Sequence, residues 1–177
     1  MSSIYSDAPP PTPETRHTLA IIVDNEPGVL ARIAGLFSGR GYNIESLTVS
    51  ETQHEAHLSR ITIVTAGTHA VIQQIKAQLS RLVPVHRVTD LTVEGAAVER
   101  ELVLLKVAGQ GDERVEALRL AQAFGARTAD ATLTSFVFEL TGTSEEVERF
   151  ISVMADCGLV EVSRTGIAAL SRGAEPL

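Results

Sequence analysis

Asn25-Glu26-Pro27-Gly28-Val29-Leu30 carries the residue types in this chain best suited to holding a small molecule. It follows an apolar strand, Leu19-Ala20-Ile21-Ile22-Val23, with Asp24 between, and opens an amphipathic helix. In the first turn of a helix the backbone amides lack intrahelical acceptors and face a bound anion readily. Gly28 lets such an anion approach the backbone closely, where any side chain would intrude. Asn25 offers a donor and an acceptor, so it can serve either end of an amino-acid zwitterion. The same residues are also ordinary helix-start chemistry, because Asn or Asp ahead of Pro-Gly caps helices without a ligand. The residues alone leave both readings open.

A second polar group waits at the other end of that helix. The helix closes at Gly39-Arg40-Gly41, where Gly39 or Gly41 can supply the left-handed residue, and Asn43 and Ile44 begin the next strand. A helix of this length separates them from Gly28 by roughly 18 Å. One subunit cannot easily set both groups on one small ligand, whereas a twofold dimer can bring Asn43 of one chain to Gly28 of the other. Taken singly, Asn43 reads as a turn residue and Ile44 as a core residue.

Other candidate chemistry falls away. Gly109-Gln110-Gly111 follows a strand and opens a helix, but Arg114 stands where a dinucleotide fingerprint needs its third glycine. The serines lack a Gly-x-Ser-x-Gly elbow, and no two carboxylates are forced together, so the chain reads as non-catalytic. Cys157 is the single cysteine, which excludes an intrachain disulfide and a thiol pair for a metal. His54 and His57 are the one close pair among five histidines, with no third ligand in evidence, so no metal site is expected.

The elements that position these residues repeat a rhythm. The first half reads strand (17–23), helix with Val29, Leu30, Ile33, Leu36 and Phe37 in one stripe, two strands around a polar hairpin at 52–55, a helix from Thr68 and a closing strand. This βαββαβ order is the ferredoxin-like pattern, two helices on one face of a four-stranded antiparallel sheet. The other face needs a cover, and a second chain is the simplest one. The second half restarts with a strand at 102–107, a helix over 112–124 carrying Val115, Leu118, Ala121 and Phe124, and one or two strands within 128–140. Thr143-Ser144-Glu145-Glu146 then resembles a capping box, ahead of a last strand region at 159–170. The expected class is α+β, with two ferredoxin-like sandwich domains, the second smaller and less regular. Residues 1–15 read as a disordered Pro-rich leader, 16–93 as the first domain, 94–100 as a linker and 101–173 as the second domain.

Composition bounds the partners. The 177 residues are 44% hydrophobic and 21% charged, with 4% aromatic and no Trp, which suits a soluble chain with an aliphatic core. A net charge of −7 argues against a nucleic-acid surface. No apolar run approaches a membrane span, and no signal peptide is evident, so a cytoplasmic location is expected.

At these residues the sequence closely resembles the regulatory (small) subunit of acetohydroxyacid synthase, also called acetolactate synthase. The marks are Asn25-Glu26-Pro27-Gly28-Val29-Leu30, Gly35-Leu36-Phe37, and the highly specific run Arg40-Gly41-Tyr42-Asn43-Ile44-Glu45-Ser46-Leu47. Leu58-Ser59-Arg60, Val98-Glu99-Arg100-Glu101-Leu102 and Gly166 through Gly173 add to them, so the likeness covers nearly the whole chain after the leader. The resemblance implies an N-terminal ACT domain that dimerises and binds a branched-chain amino acid, usually valine, at the dimer interface. Carried onto this chain, Asn25, Gly28, Val29 and Leu30 would contact valine from one subunit, and Asn43 and Ile44 from the other. It also implies a large catalytic subunit as partner, activated by this chain and inhibited through it. Thiamine diphosphate, magnesium and FAD would sit in that partner, with no cofactor here. Pro27 departs from the family, where a small residue such as Ser is common. The rival reading is a free-standing ACT-type sensor acting on another enzyme or on transcription.

Overall fold

β1 (Thr15–Asp24) alternates so that Leu19, Ile21 and Val23 face one way and Thr18 and Ala20 the other, all of them buried. The structure, a computed structural model, describes residues 13–53, 57–95 and 97–176, with only the backbone of Gln53. The leader before residue 13 and the middle of the 52–55 hairpin, including His54, lie outside the described residues. α1 (Val29–Gly39) packs Val29, Ile33 and Phe37 onto the first of those faces. β2 (Ser46–Gln53) and β3 (Leu58–Gly67) follow, then α2 (His69–Leu79), which buries Ile72, Ile75 and Leu79. The Thr68 hydroxyl accepts the Val71 amide at its start, as its position in the sequence predicts. With β4 (Val85–Asp90) the sheet is antiparallel in the order β2-β3-β1-β4, the ferredoxin-like arrangement expected.

The second unit repeats this topology strand for strand. β5 (Ala97–Ala108), α3 (Gly111–Ala123), β6 (Arg127–Ala131), β7 (Ser135–Gly142), α4 (Ser144–Ala155) and β8 (Leu159–Arg164) assemble in the order β6-β7-β5-β8. It is therefore as regular as the first unit in topology, and the 128–140 stretch is two strands joined by a tight turn, in which the Thr132 amide donates to the Ser135 carbonyl at 2.9 Å. The capping box forms: the Thr143 amide donates to the Glu146 carboxylate at 2.7 Å, and the Thr143 hydroxyl accepts the Glu146 amide. α3 differs from its expected face. It buries Ala117 and Ala121 with Leu118, Leu120 and Phe124 beside them, while Val115 is 66% exposed. Two small alanines let the helix sit close to the sheet, and Val115 falls on the opposite side of the turn.

β9 (Ala168–Ser171) changes the picture of the outer face. Residues 97–100, expected to be connector, are strand, and they pair with β9 from Ala97↔Ser171 to Arg100↔Ala168. Ile167 and Ala169 pack on Ala20 and Val64 of the first sheet and on Leu91 just beyond it, away from its helices. The Ser46 hydroxyl accepts the Ile167 amide at 3.0 Å, and the Thr48 hydroxyl donates to the Ile167 carbonyl at 3.0 Å. The outer face is thus covered in part by β9.

Candidate functional site

The β1–α1 turn is built by backbone hydrogen bonds that leave its side chains outside. The Asp24 amide donates to the Pro84 carbonyl at 2.9 Å and the Asn25 amide to the His57 carbonyl at 2.7 Å, which fixes the exit from β1. The Glu26 amide turns back to the Asp24 carbonyl at 3.0 Å. Gly28 is the N-cap, with φ 88°, a left-handed conformation that costs glycine little. No side chain caps the helix and no acidic residue lies in its first turn. Asn25 therefore does not act as the cap that the bland reading requires.

The amides at this end are largely unclaimed. Proline has no N–H at position 27, and the Val29 amide reaches the Glu26 carbonyl only at 3.4 Å. The first full helical bond from outside the helix is Arg32 to Gly28 at 3.0 Å. Among the described residues the amides of Gly28, Leu30 and Ala31 find no acceptor. A Cβ added to Gly28 would meet nothing within 4 Å, so the space in front of these amides is open.

The far end of α1 has its own logic. The Tyr42 amide donates to the Phe37 carbonyl at 3.0 Å and the Gly41 amide to the Ser38 carbonyl at 3.2 Å, with Gly41 at φ 70°. These two bonds are a Schellman motif, and the Phe37 and Tyr42 rings, 6.1 Å apart edge to face, supply its apolar contact. Gly41-Tyr42 is thus helix-ending chemistry, and Gly41 is the residue, of the two glycines considered, that turns left-handed. The chain then leaves with Asn43 exposed, its carbonyl accepting from the Thr65 hydroxyl at 2.6 Å. Ile44 is half-buried against the first core, and Glu45 pairs with Arg16 at 2.8 Å.

Asn25, Gly28, Val29 and Leu30 come together in one turn; Asn43 and Ile44 do not join them. Asn25 bonds to position 57 and Asn43 to position 65, next to the two ends of β3. That stretch spans about 26 Å at the rise of an extended strand. Val29 is 4% exposed, so only its backbone can face a ligand, whereas Leu30 at 41% presents its side chain outward. Neither asparagine side-chain amide has a partner among the described residues.

Immediately beyond Asn43-Ile44 lies a cleft of about 390 Å³ where the two units meet. Arg16, Glu45 and Ser46 line one side, and Glu101, Arg164 and Gly166 the other. Glu101 is buried and holds Arg164 through two bonds, 2.8 Å to Nε and 2.7 Å to Nη2, while Glu148 binds Nη1. The Glu101 carboxylate is the main reason the Arg164 guanidinium is raised above its ordinary pKa, with partial burial opposing it and Glu148 adding to it. Sequence reasoning missed these residues as a group because 63 positions separate Glu101 from Arg164. Among the described residues no group of three side chains is placed to hold a metal ion.

The comparisons agree along the chain. A model described as "AHAS small subunit-like ACT domain" matches residues 19–87, and one described as "Small subunit of acetolactate synthase" matches 100–173. A probable acetolactate synthase small subunit of Archaeoglobus fulgidus is 44% identical over 158 residues, covering 89% of this chain and 98% of that protein. The acetolactate synthase isozyme 3 small subunit of Salmonella typhimurium is 45% identical over 159 residues, covering 89% and 96%. The crystal structure of the acetolactate synthase small subunit from Thermotoga maritima superposes with a TM-score of 0.80 at 36% identity, over 91% of this chain and 99% of that one. With identities this high over nearly full lengths, and a shared two-unit fold, the chain belongs to the acetolactate synthase small-subunit family.

Proposed function

We propose that this chain is the regulatory subunit of an acetolactate synthase, raising the activity of the large catalytic subunit and making it subject to feedback inhibition by valine. The observation that carries the sensing role is the uncapped start of α1, where the amides of Gly28, Leu30 and Ala31 find no acceptor among the described residues. A carboxylate fits there, since those amides and the helix dipole favour an anion. Leu30 offers an exposed apolar side chain, and Asn25 a side-chain amide with no partner among the described residues, for the ligand's polar end.

About 26 Å is too long a span for one small amino acid, so the reading requires two protomers. Asn25, Gly28, Val29 and Leu30 of one would meet Asn43 and Ile44 of its partner across a dimer formed by the 16–93 domains. β2, which starts just after Ile44, is hydrogen-bonded to Ile167 through Ser46 and Thr48, giving the site a physical connection to the second domain at 101–173. Occupancy can inhibit only by binding one arrangement of the holoenzyme more tightly than another. The chemistry of the synthase, with thiamine diphosphate, magnesium and FAD, belongs in this reading to the catalytic subunit. The working location is the cytoplasm.

Gly28→Asp tests the assignment. It puts a carboxylate where the ligand's carboxylate would sit. In reconstituted holoenzyme, valine inhibition should disappear while activation of the catalytic subunit persists. Normal inhibition by valine in that variant would place the site elsewhere.

A further inference from the structure

The first sheet carries an arginine on its outer face that the sensing site does not use. Arg60 stands on β3 opposite Ser50 of β2 and Ile22 of β1, beneath β9. Its Nη2 donates to the Ala169 carbonyl at 2.7 Å, its sole hydrogen bond among the described residues. Nε is buried with no acceptor, and no carboxylate lies within ion-pair distance among the described residues. Partial burial lowers the pKa of this guanidinium. A guanidinium has five N–H donors, and buried ones left unmet are costly.

Arg60 forms one wall of a cleft of about 340 Å³ between β2, β3 and the β5–β9 pair. Arg100 of β5 lines the same cleft; it donates to the carbonyl of its own neighbour Glu99 at 2.7 Å and makes no ion pair among the described residues. Glu146 senses the charge of Arg100 but does not bond to it. The remaining lining is hydroxyls, including Thr48 and Thr62, and apolar groups, including Val98 and Leu170. Among the described residues no carboxylate lines it, although the chain as a whole carries a net charge of −7. Two guanidinium groups, neutral donors and an aliphatic wall in a cavity of small-ligand size describe the recognition of an organic anion.

We propose that this cleft is a second ligand site, taking a small monocarboxylate with a short aliphatic body. The carboxylate bridges Arg60 and Arg100, and the hydrocarbon end lies against Val98 and Leu170. The site lies on the face of the sheet opposite α1, so it stands or falls independently of the proposed valine site. A bare phosphate shares the charge chemistry but leaves the apolar wall unused, which sets the preference for a carboxylate with a body.

The test is nuclear magnetic resonance of the full-length chain, following the Arg60 Nε–H signal during titration with sodium butyrate. Sodium chloride, sodium phosphate and butanol serve as controls. Butyrate should shift the signal saturably, and Arg100→Gln, a change at an exposed side chain, should weaken that binding roughly tenfold or more. Arg60→Gln should abolish the saturable response at the neighbouring Thr62 and Ala169 amides. A linear response, an equal response to chloride or phosphate, or unchanged affinity in Arg100→Gln would overturn the proposal. So would an Arg60 signal that moves on adding the catalytic subunit and never with butyrate, which would make the cleft a protein contact.

Discussion

Replacing Gly166 by alanine should loosen the join between the two units. Gly166 has φ 81°, and an added Cβ would lie 2.6 Å from the Ser46 hydroxyl and 3.0 Å from the Thr48 hydroxyl. Those are the two hydroxyls that hold Ile167 through its amide and carbonyl. The left-handed backbone costs an alanine about 1–2 kcal/mol. Relieving the contact requires the Ser46 side chain to rotate away, which loses its bond to the Ile167 amide, worth about 1 kcal/mol. The sum is about 2–3 kcal/mol, a large part of the stability of a small domain. Urea unfolding of the full chain measures it directly. Ser46→Ala alone should cost about 1 kcal/mol, and the double variant no more than Gly166→Ala alone, because the same bond is lost in both. Strict additivity of the two changes, or a cost for Gly166→Ala well below 1 kcal/mol, would refute the reasoning.

Two other outcomes follow from the second unit. The Glu146 carboxylate is held below its ordinary pKa chiefly by the Thr143 amide, then by the Thr143 hydroxyl, with desolvation opposing. A depressed carboxylate stabilises above its unfolded pKa and loses that contribution as pH falls through its folded pKa. Glu146→Gln should therefore unfold more easily than wild type at neutral pH, and thermal melts of the two should converge as pH falls below the ordinary carboxylate range. Cys157 is 7% exposed, and burial, then Glu116, Asp156 and Glu113, push its thiol above the ordinary value. Iodoacetamide at pH 8 should modify it at least roughly tenfold more slowly in the folded chain than in urea, followed by mass spectrometry.

Local pattern made some elements plain in the sequence. Ile33 and Phe37 repeat at helical spacing and are buried, and Thr143 with Glu146 form their reciprocal cap, because both signals depend on neighbours within one or two turns. Val115 misled because an apolar residue on an exposed helical face obeys the same spacing rule as a buried one. The last strand region is two strands because the chain turns at Thr165-Gly166, and the partner of β9 is β5, about 70 residues earlier by the pairing of Val98 with Leu170. No local pattern reports such a pairing, so the cover on the outer face was invisible.

The site divides the same way. The helix start at Gly28 was legible, and so was its separation from Asn43 by the length of α1, but the strand expected to begin at Asn43 begins only at Ser46. What sequence could not give was that Gly41-Tyr42 closes a Schellman motif, or that Asn25 leaves the helix uncapped. The first needs backbone bonds between residues 37 and 42; the second needs the direction of one side chain. Arg60 stands out in the sequence only as part of the Leu58-Ser59-Arg60 motif, which does not reveal that no acid pairs with it among the described residues.

The central claim is a site shared between two protomers, and complementation tests it most directly. Gly28→Asp and Asn43→Ala chains, each alone, should bind no valine in calorimetric titration. Unfolded together and refolded, they form mixed dimers in which one interface pairs an intact Gly28 with an intact Asn43. Roughly one site in four should then be recovered from a random mixture. If the mixture binds no more valine than either variant alone, the site lies within one protomer and the account is wrong.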